Sequence, residues 1–444
     1  MRIAMIGGGY VGLVSAACFA DFGIEVSVVE VNEERLGMLR EGRMPIYEPG
    51  LAALVAEGVA AERLSFGNDI ARAVAEAEAI FIAVGTPSRR GDGHADLSYV
   101  LAAAGQIADA LDHYAVIVTK STVPVGTGQR IATLVRERHP DLEFDVASNP
   151  EFLREGSAIG DFMRPDRVVI GAESERAREV MARLYRPLNL IETPIVFSGI
   201  ETAELTKYAA NAFLAMKVTF INEMADLCEA VGADVHDVAR GLGLDGRIGR
   251  KFLHPGPGFG GSCFPKDTLA LARIAEEAGR PSRLVETTIA VNERRKAEMA
   301  ERVRAALGGS VRGRRIAILG LAFKPETDDM RDSPSIPLIE RLTASGADLV
   351  AFDPEAMGQA RRVLPASLAY GGDALETVSG ADAVVVVTEW NEFRAIPPAR
   401  LRDLMRGDVV VDLRNVYDPA AMQAAGLRYA SIGRKMVNGE NTAV

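Results

Sequence analysis

The chain has 444 residues, too many for one hydrophobic core, so two or three domains are expected. Its 48% hydrophobic and 25% charged residues match an ordinary soluble globular protein, and its net charge of −11 makes it a poor partner for nucleic acid or an anionic membrane surface. An anionic small ligand remains open, because local N–H groups and a few arginines can hold one. No run reaches the roughly 18 apolar residues of a membrane span. Met1–Ala20 reads as strand, turn and helix rather than as a leader, and a cytoplasmic protein is expected. Cys18, Cys228 and Cys263 are dispersed, and the histidines at 94, 113, 139, 236 and 254 lack ligand spacing. Neither a disulfide framework nor a metal centre is expected.

In chain order, Arg2–Ile6 reads as a buried strand, followed at once by Gly7-Gly8-Gly9-Tyr10-Val11-Gly12 and an apolar helix over 13–22. A second strand over 25–29 ends in Glu30. This is Gly-x-Gly-x-x-Gly between strand and helix, with an acid about 20 residues on, which predicts a dinucleotide site. Gly7 permits the tight turn, Gly9 lets the backbone approach a pyrophosphate, and Gly12 lets helix and strand pack closely. The helix N-terminus offers N–H groups to phosphate. Glu30 is expected on the ribose hydroxyls, where a carboxylate repels a 2′-phosphate and favours NAD; Arg35 nearby is the residue that could accept such a phosphate. Cys18, among small apolar residues of that helix, reads as core.

Further strands are expected over 79–84, 115–119, 144–147, 168–171 and 195–197, with helices over 98–111 and 126–138 between them. The alternation predicts a parallel doubly wound sheet. Gly85-Thr86-Pro87, Ser121-Thr122-Val123-Pro124 and Asn149-Pro150-Glu151 all fall at carboxyl ends of strands, where such sheets bind ligands. From about Glu201 the period changes. Residues 201–231 contain neither Gly nor Pro and carry apolar residues at helical intervals, predicting one helix about 45 Å long. Lys207 and Asn211 share a face of it; the blander reading of both is a solvated stripe. Cys228, near its end, reads as core.

Residues 241–261 are rich in glycine, and the segment ends at Cys263, with a helix starting near Lys266-Asp267. Helical periodicity continues to about Leu307, interrupted near 279–281. Strands over 314–319, 348–352, 383–387 and 408–413 then repeat the alternation without a second glycine fingerprint. Trp390 reads as ordinary packing, and the tail from Ser431 is expected to be loose.

A nicotinamide site with a reactive thiol suggests two successive oxidations. An alcohol becomes an aldehyde, a thiolate adds, the adduct is oxidised to a thioester, and water releases an acid. Such chemistry needs a nucleophile, a cation or donor for an oxyanion, and a base for water. Cys263, near a helix start that favours thiolate, is the candidate nucleophile against the alternative of a buried structural thiol. Lys207 is the candidate cation, and Glu151 or Asp267 the candidate base.

Five segments add what spacing alone does not. They are Gly7–Gly12, Pro45-Ile46-Tyr47-Glu48-Pro49-Gly50-Leu51, Ser121–Gly126, Asn149-Pro150-Glu151-Phe152-Leu153-Arg154-Glu155-Gly156 and Gly260-Gly261-Ser262-Cys263-Phe264-Pro265-Lys266-Asp267. In this order, and over essentially the whole chain, they resemble the UDP-glucose/GDP-mannose dehydrogenase family. The resemblance implies two doubly wound Rossmann-like α/β domains joined by a long central helix and a small helical domain. It implies an NAD-binding domain over 1–200, a central domain over 201–307 that dimerises and carries the catalytic loop, and a UDP-sugar domain over 308–444.

The activity so implied is oxidation of the C6 alcohol of UDP-glucose to UDP-glucuronate with two NAD and one water. GDP-mannose or a UDP-N-acetylhexosamine is the alternative substrate, with 45–51 and Gly261-Ser262 favouring glucose. Readings from other classes are a one-step alcohol dehydrogenase with a structural Cys263, and a nucleotide-sugar sensor without turnover.

The resemblance makes Cys263 the nucleophile, Glu151 the base for thioester hydrolysis, Lys207 and Asn211 the oxyanion donors, and Thr122 and Asp267 the holders of water. Lys207 or a water on Asp267 takes the alcohol proton. To NAD it assigns Gly7, Gly9, Tyr10, Val11 and Gly12, with Glu30, Arg35, Thr86, Ser121, Thr122, Glu155 and Arg331. To the nucleotide sugar it assigns Glu151, Phe152, Leu153, Arg154 and Glu155, then Lys207, Asn211 and Arg247, the last reaching a neighbouring subunit. His254, Gly256, Gly258, Phe259 and Gly260 follow from the glycine-rich loop, and Phe323, Lys324 and Arg414 from the last domain. Glu30 and Asn32 stand where the family more often has Asp, and His254 stands at a position the family varies.

Overall fold

The structure is a computed structural model that describes residues 1–87 and 95–438, so His94 lies outside the described residues. The chain divides into two compact units. The first is Met1–Ala210 with Arg273–Arg280, and the second is Asn211–Ala272 with Pro281–Val444.

The first unit is built on eight strands: β1 (Arg2–Ile6), β2 (Glu25–Val29), β3 (Leu64–Gly67), β4 (Ala79–Ile82), β5 (Ala115–Thr119), β6 (Phe144–Ser148), β7 (Val168–Ala172) and β8 (Ile195–Ser198). Their order is β3-β2-β1-β4-β5-β6-β7-β8. The crossover between β1 and β4 opens the crevice in which doubly wound sheets bind ligands. β4 and β5 are buried along their whole length, which is why they read as unbroken apolar runs with no alternation. One pairing departs from the expected parallel sheet. β6 and β7 are antiparallel, because the chain after Ser148 does not return to the amino edge before β7 begins. β3 escaped the sequence reading because Leu-Ser-Phe-Gly is too short and mixed to carry a period.

The second unit repeats the order with β9 (Arg315–Leu319), β10 (Asp348–Phe352), β11 (Ala369–Tyr370), β12 (Ala383–Val386), β13 (Val409–Asp412) and β14 (Arg428–Ser431). It is parallel throughout, β11-β10-β9-β12-β13-β14. Trp390 is buried, and its indole N–H donates to Asp353 Oδ2 at 3.2 Å, so it is a packing residue. The tail beyond Ser431 corrects the expectation of looseness as far as 438. Ile432 is fully buried, Gly433 N–H donates to Glu229 Oε1 at 2.6 Å, and Val437 exchanges backbone hydrogen bonds with Tyr429. Ile432 and Val437 anchor the segment to the second unit's core.

The long helix runs Ile200–Val231, as its periodicity predicts, and the boundary between the units falls inside it. Its apolar residues form two stripes. Tyr208, Ala212, Ala215, Ile221, Ala225 and Cys228 are buried, whereas Phe213, Phe220 and Leu227, spaced by seven, are 58%, 45% and 52% exposed. No helix among the described residues is long and apolar enough to cross a membrane.

Candidate active site

In the first unit the glycine fingerprint forms the turn from β1 into the helix Tyr10–Asp21. A side chain at Gly12 would collide with the Gly7 carbonyl, whereas one at Gly9 would meet nothing within 4 Å. The turn is thus closed on its inner side and open above Gly9, where a pyrophosphate approaches backbone N–H groups, so these residues fit a dinucleotide. Glu30 follows β2, is buried, and accepts from Asn32 N at 2.8 Å. It packs within 3.1 Å of where a Cβ on Gly8 would stand, which gives the middle glycine a role the bare motif does not show. Arg35 starts the next helix, its N–H held by Asn32 Oδ1 at 2.9 Å.

Thr86 and Ser121 are buried, and both hydroxyls face the rim backbone. Thr86 Oγ1 donates to Thr122 O at 3.0 Å, and Ser121 Oγ donates to Val84 O at 2.6 Å. Together they lock the turns after β4 and β5. Tyr10 turns its hydroxyl to Glu48, and burial pushes that hydroxyl well above its usual range. Glu48 also accepts from Gly156 N at 2.6 Å and Ala158 N at 2.7 Å. Sequence reasoning gave Glu48 no role. It ties the start of the first helix to the 151–158 loop, and the signal was a lone acid in a Pro-and-Gly-rich segment with no charged neighbour to pair with.

The loop after β6 carries Glu151. Its Oε1 accepts from Lys207 Nζ at 2.9 Å and its Oε2 from Leu153 N at 2.5 Å, and both Glu151 and Lys207 are buried. The structure brings these two together as an ion pair across 56 residues of sequence. Phe152 stacks beneath, with the Arg167 guanidinium 3.7 Å and the Lys207 ammonium 5.3 Å from its ring centre. Removing one partner would strand a buried charge, at a cost of about 3–5 kcal/mol. Arg154 is engaged by Asp161, which it meets at 2.6 and 2.9 Å.

In the second unit, Cys263 sits where the helix Phe264–Glu277 begins, and its carbonyl accepts Asp267 N–H at 2.8 Å. The thiol is half-buried, 3.5 Å from Ser262 Oγ. One turn into the helix, Asp267 is 1% exposed; its Oδ2 accepts from Asn211 Nδ2 at 2.6 Å, and Lys266 Nζ lies 3.0 Å from Oδ1. This ties the long helix to the helix that follows Cys263.

The loop 254–260 is held from below by residues that sequence reasoning missed. Asn292 brackets Phe259, accepting its N–H at 2.8 Å and donating to its carbonyl at 3.1 Å. Asn222 accepts Gly256 N–H at 2.8 Å, and Arg295 Nε donates to Gly256 O at 2.7 Å. Gly258 adopts φ +116 directly over Asn292 and Lys296, where no side chain fits. Gly260 packs on the Asp332 carbonyl, and Phe323 lies flat against Gly261. Arg414 donates to Phe323 O at 2.8 Å and Val387 O at 2.9 Å and borders Gly256. Lys324 Nζ is 5.2 Å from the Phe323 ring centre. His254 is exposed, and Arg247, 90% exposed, forks onto Asp245. Arg331 forks onto Asp329 at 2.8 Å through two nitrogens.

Two doubly wound domains, one with a dinucleotide turn, together with a thiol at a helix start and a buried carboxylate–amide pair define a dinucleotide-dependent oxidoreductase. The chain belongs to the UDP-glucose/GDP-mannose dehydrogenase family: residues 1–189 match its NAD binding domain, 201–294 its central domain and 317–419 its UDP binding domain. It is 58% identical to a UDP-glucose 6-dehydrogenase of Rhizobium meliloti (strain 1021), over 98% of this chain and 100% of that protein. It is 47% identical to a UDP-glucose 6-dehydrogenase of Bacillus subtilis (strain 168), over 99% of this chain and 94% of the other. A solved UDP-glucose dehydrogenase from Pyrobaculum islandicum superposes with a TM-score of 0.89 at 41% identity, covering 97% of this chain and 96% of that one.

Proposed function

We propose that this protein oxidises the C6 alcohol of UDP-glucose to the carboxylate of UDP-glucuronate, using two NAD and one water per sugar, through a thioester on Cys263. The observation that carries the reading is the thiol of Cys263 at the start of a helix whose first turn holds the buried Asp267–Asn211 pair. A one-step alcohol dehydrogenase or a sensor has no use for a nucleophile so placed.

NAD supplies the hydride acceptor for both oxidations, and Gly7–Gly12 with Glu30 are the residues that would hold it. The remaining steps belong to the chain. The C6 hydroxyl proton passes to a water held on Asp267 as the alcohol becomes an aldehyde. Cys263 Sγ then bonds to C6, and the thiohemiacetal oxygen is met by donors from Asn211 and Lys207. After the second hydride departs, a thioester remains. Glu151 takes a proton from water, the water oxygen bonds to C6, the C–S bond breaks, and the electron pair returns to sulfur. Glu151 is buried and held in place at both oxygens, by Leu153 N–H and by Lys207 Nζ. Loop 254–260 and Arg414 would cradle the nucleotide sugar, and the carboxylates and hydroxyls around Gly9 the dinucleotide.

We read the working molecule as a homodimer, supported by the exposed Phe213, Phe220 and Leu227 at seven-residue spacing on the long helix. Incubation with NAD and a panel of nucleotide sugars tests the activity. Two NADH per UDP-glucose consumed, with glucuronate as product, is the expected result; one NADH with a free aldehyde would exclude the covalent route.

A further inference from the structure

We propose that Lys120 is a positioning residue for the hydrolytic half of the reaction: its buried ammonium clamps the Asn149–Pro150–Glu151 turn and holds Glu151 in place to take a proton from water. This rests on the reading of Glu151 as the base.

Lys120 follows β5 and is 4% exposed. Its Nζ donates to Asn149 Oδ1 at 2.9 Å and to the Tyr185 hydroxyl at 3.1 Å, and that hydroxyl donates to the same Asn149 oxygen at 2.5 Å. Asn149 is also pinned by its own amide to Val169 O at 2.9 Å and by its N–H to Thr119 O at 2.9 Å. Three strands, β5, β6 and β7, thus meet at one asparagine, and the base stands two residues further on behind a proline of fixed φ. Lys120, Asn149, Glu151, Phe152, Asp161 and Tyr185 line one small cavity.

The surroundings do not explain a lysine by packing. The ammonium lies 5.7 and 5.8 Å from the ring centres of Phe162 and Tyr185, a setting that a methionine would fill without the desolvation that a cation suffers. What the cation adds is charge beside the Glu151–Lys207 pair. Glu151 attracts it and Lys207 repels it; the Cys18 thiol faces it from the first helix, while Asp161 is engaged by Arg154, and Arg167 lies on Phe152. Burial is the largest influence and brings Lys120 down to about 8. Its charge, and with it the strength of the clamp, therefore disappears just above neutral pH. Hydrolysis should fall along that limb, since a neutral amine donates more weakly to Asn149.

The test separates hydrolysis from oxidation. Wild type and Lys120→Met are mixed with NAD and UDP-glucose in a rapid-quench instrument, and NADH, glucuronate and the intact mass of the protein are followed together. In the variant, we expect a burst of about two NADH per subunit, a Cys263 acyl adduct that accumulates, and hydrolysis slowed by about 10- to 100-fold, while the burst rate and the KM for the sugar change less than about threefold. The wild-type hydrolysis rate should fall with a midpoint near pH 8, and the variant should lack that limb. Oxidation and hydrolysis slowed alike, or a folded variant hydrolysing at the wild-type rate, would overturn the assignment. If Lys120→Met does not fold, wild type and Tyr185→Phe decide. A limb that moves to lower pH when one acceptor of the ammonium is removed supports the clamp, and no limb between about pH 7 and 10 rejects it. Failure of wild type itself to form two NADH per sugar would instead reject the proposed function.

Discussion

At the scale of single residues, the proposed function divides the chemistry between Cys263, a thiol at a helix start, and Glu151, a carboxylate gripped at both oxygens. A serine at 263 keeps the size and the Ser262 contact but has far too little alkoxide at neutral pH to replace a thiolate. Cys263→Ser is therefore expected to lose at least about 1000-fold in glucuronate formation, while NAD binding is unchanged. Product assay beside NAD titration checks this, and acid formation near the wild-type rate would exclude a thioester. Glu48 teaches a complementary lesson. It touches Tyr10 and two N–H groups of the 151–158 loop, so its work is to fix other groups.

At the scale of elements, the start of the long helix caps another helix. Glu204 is 2% exposed, and its two oxygens accept Gly126 N–H at 2.7 Å and Gly128 N–H at 2.9 Å, at the head of the helix Thr127–Arg138. Burial pushes this carboxyl up to about 7, and the two N–H groups pull against that rise. Its folded value lies above its unfolded one, so from about pH 4.5 to 7 the folded chain keeps a proton that the unfolded chain has released. The stability it contributes is complete below that window and is lost as pH rises through it, by about 3 kcal/mol at 1.36 kcal/mol per unit. Glu204→Gln should lack this dependence. Urea unfolding of both proteins at about pH 5 and about pH 7.5 checks it, and parallel behaviour would mean that Glu204 does not titrate there. The two helices are also closely packed here, since a Cβ on Gly128 would stand 2.5 Å from Ile200 Cγ2.

At the scale of the whole molecule, the long helix buries one apolar stripe in the single chain and leaves another bare. On the proposed homodimer, the exposed stripe of Phe213, Phe220 and Leu227 is the surface that a second helix would cover, and its seven-residue repeat suits such packing. The expected outcome is that wild type sediments as a dimer and the Phe213→Glu, Phe220→Glu double variant as a single chain. Dimers of unchanged stability would place the interface elsewhere. Should subunit contacts also order the exposed Arg247, the monomeric variant would bind the nucleotide sugar more weakly as well.

Much of this was legible in one sequence, wherever the signal is local. The Gly7–Gly12 turn, the buried strands β4 and β5 and the long helix depend on periods and turn residues within a few positions of each other. Residues gathered from distant segments were legible only as candidates, or through the family resemblance. Nothing in spacing joins Glu151 to Lys207, Asn211 to Asp267, Asn292 to Phe259, or Lys120 to Asn149 and Tyr185. Those pairings follow from strands and helices packing to bury their apolar faces, which brings polar groups together across long stretches of chain and then requires each to find a partner. The sequence by itself determined the fold class and the dinucleotide turn, and it singled out Cys263 as the candidate thiol. Only the tertiary structure decided that Lys207 pairs with Glu151, that Asn292 holds the 254–260 loop, and which apolar stripe of the long helix the single chain leaves bare, because those depend on distances that folding alone sets.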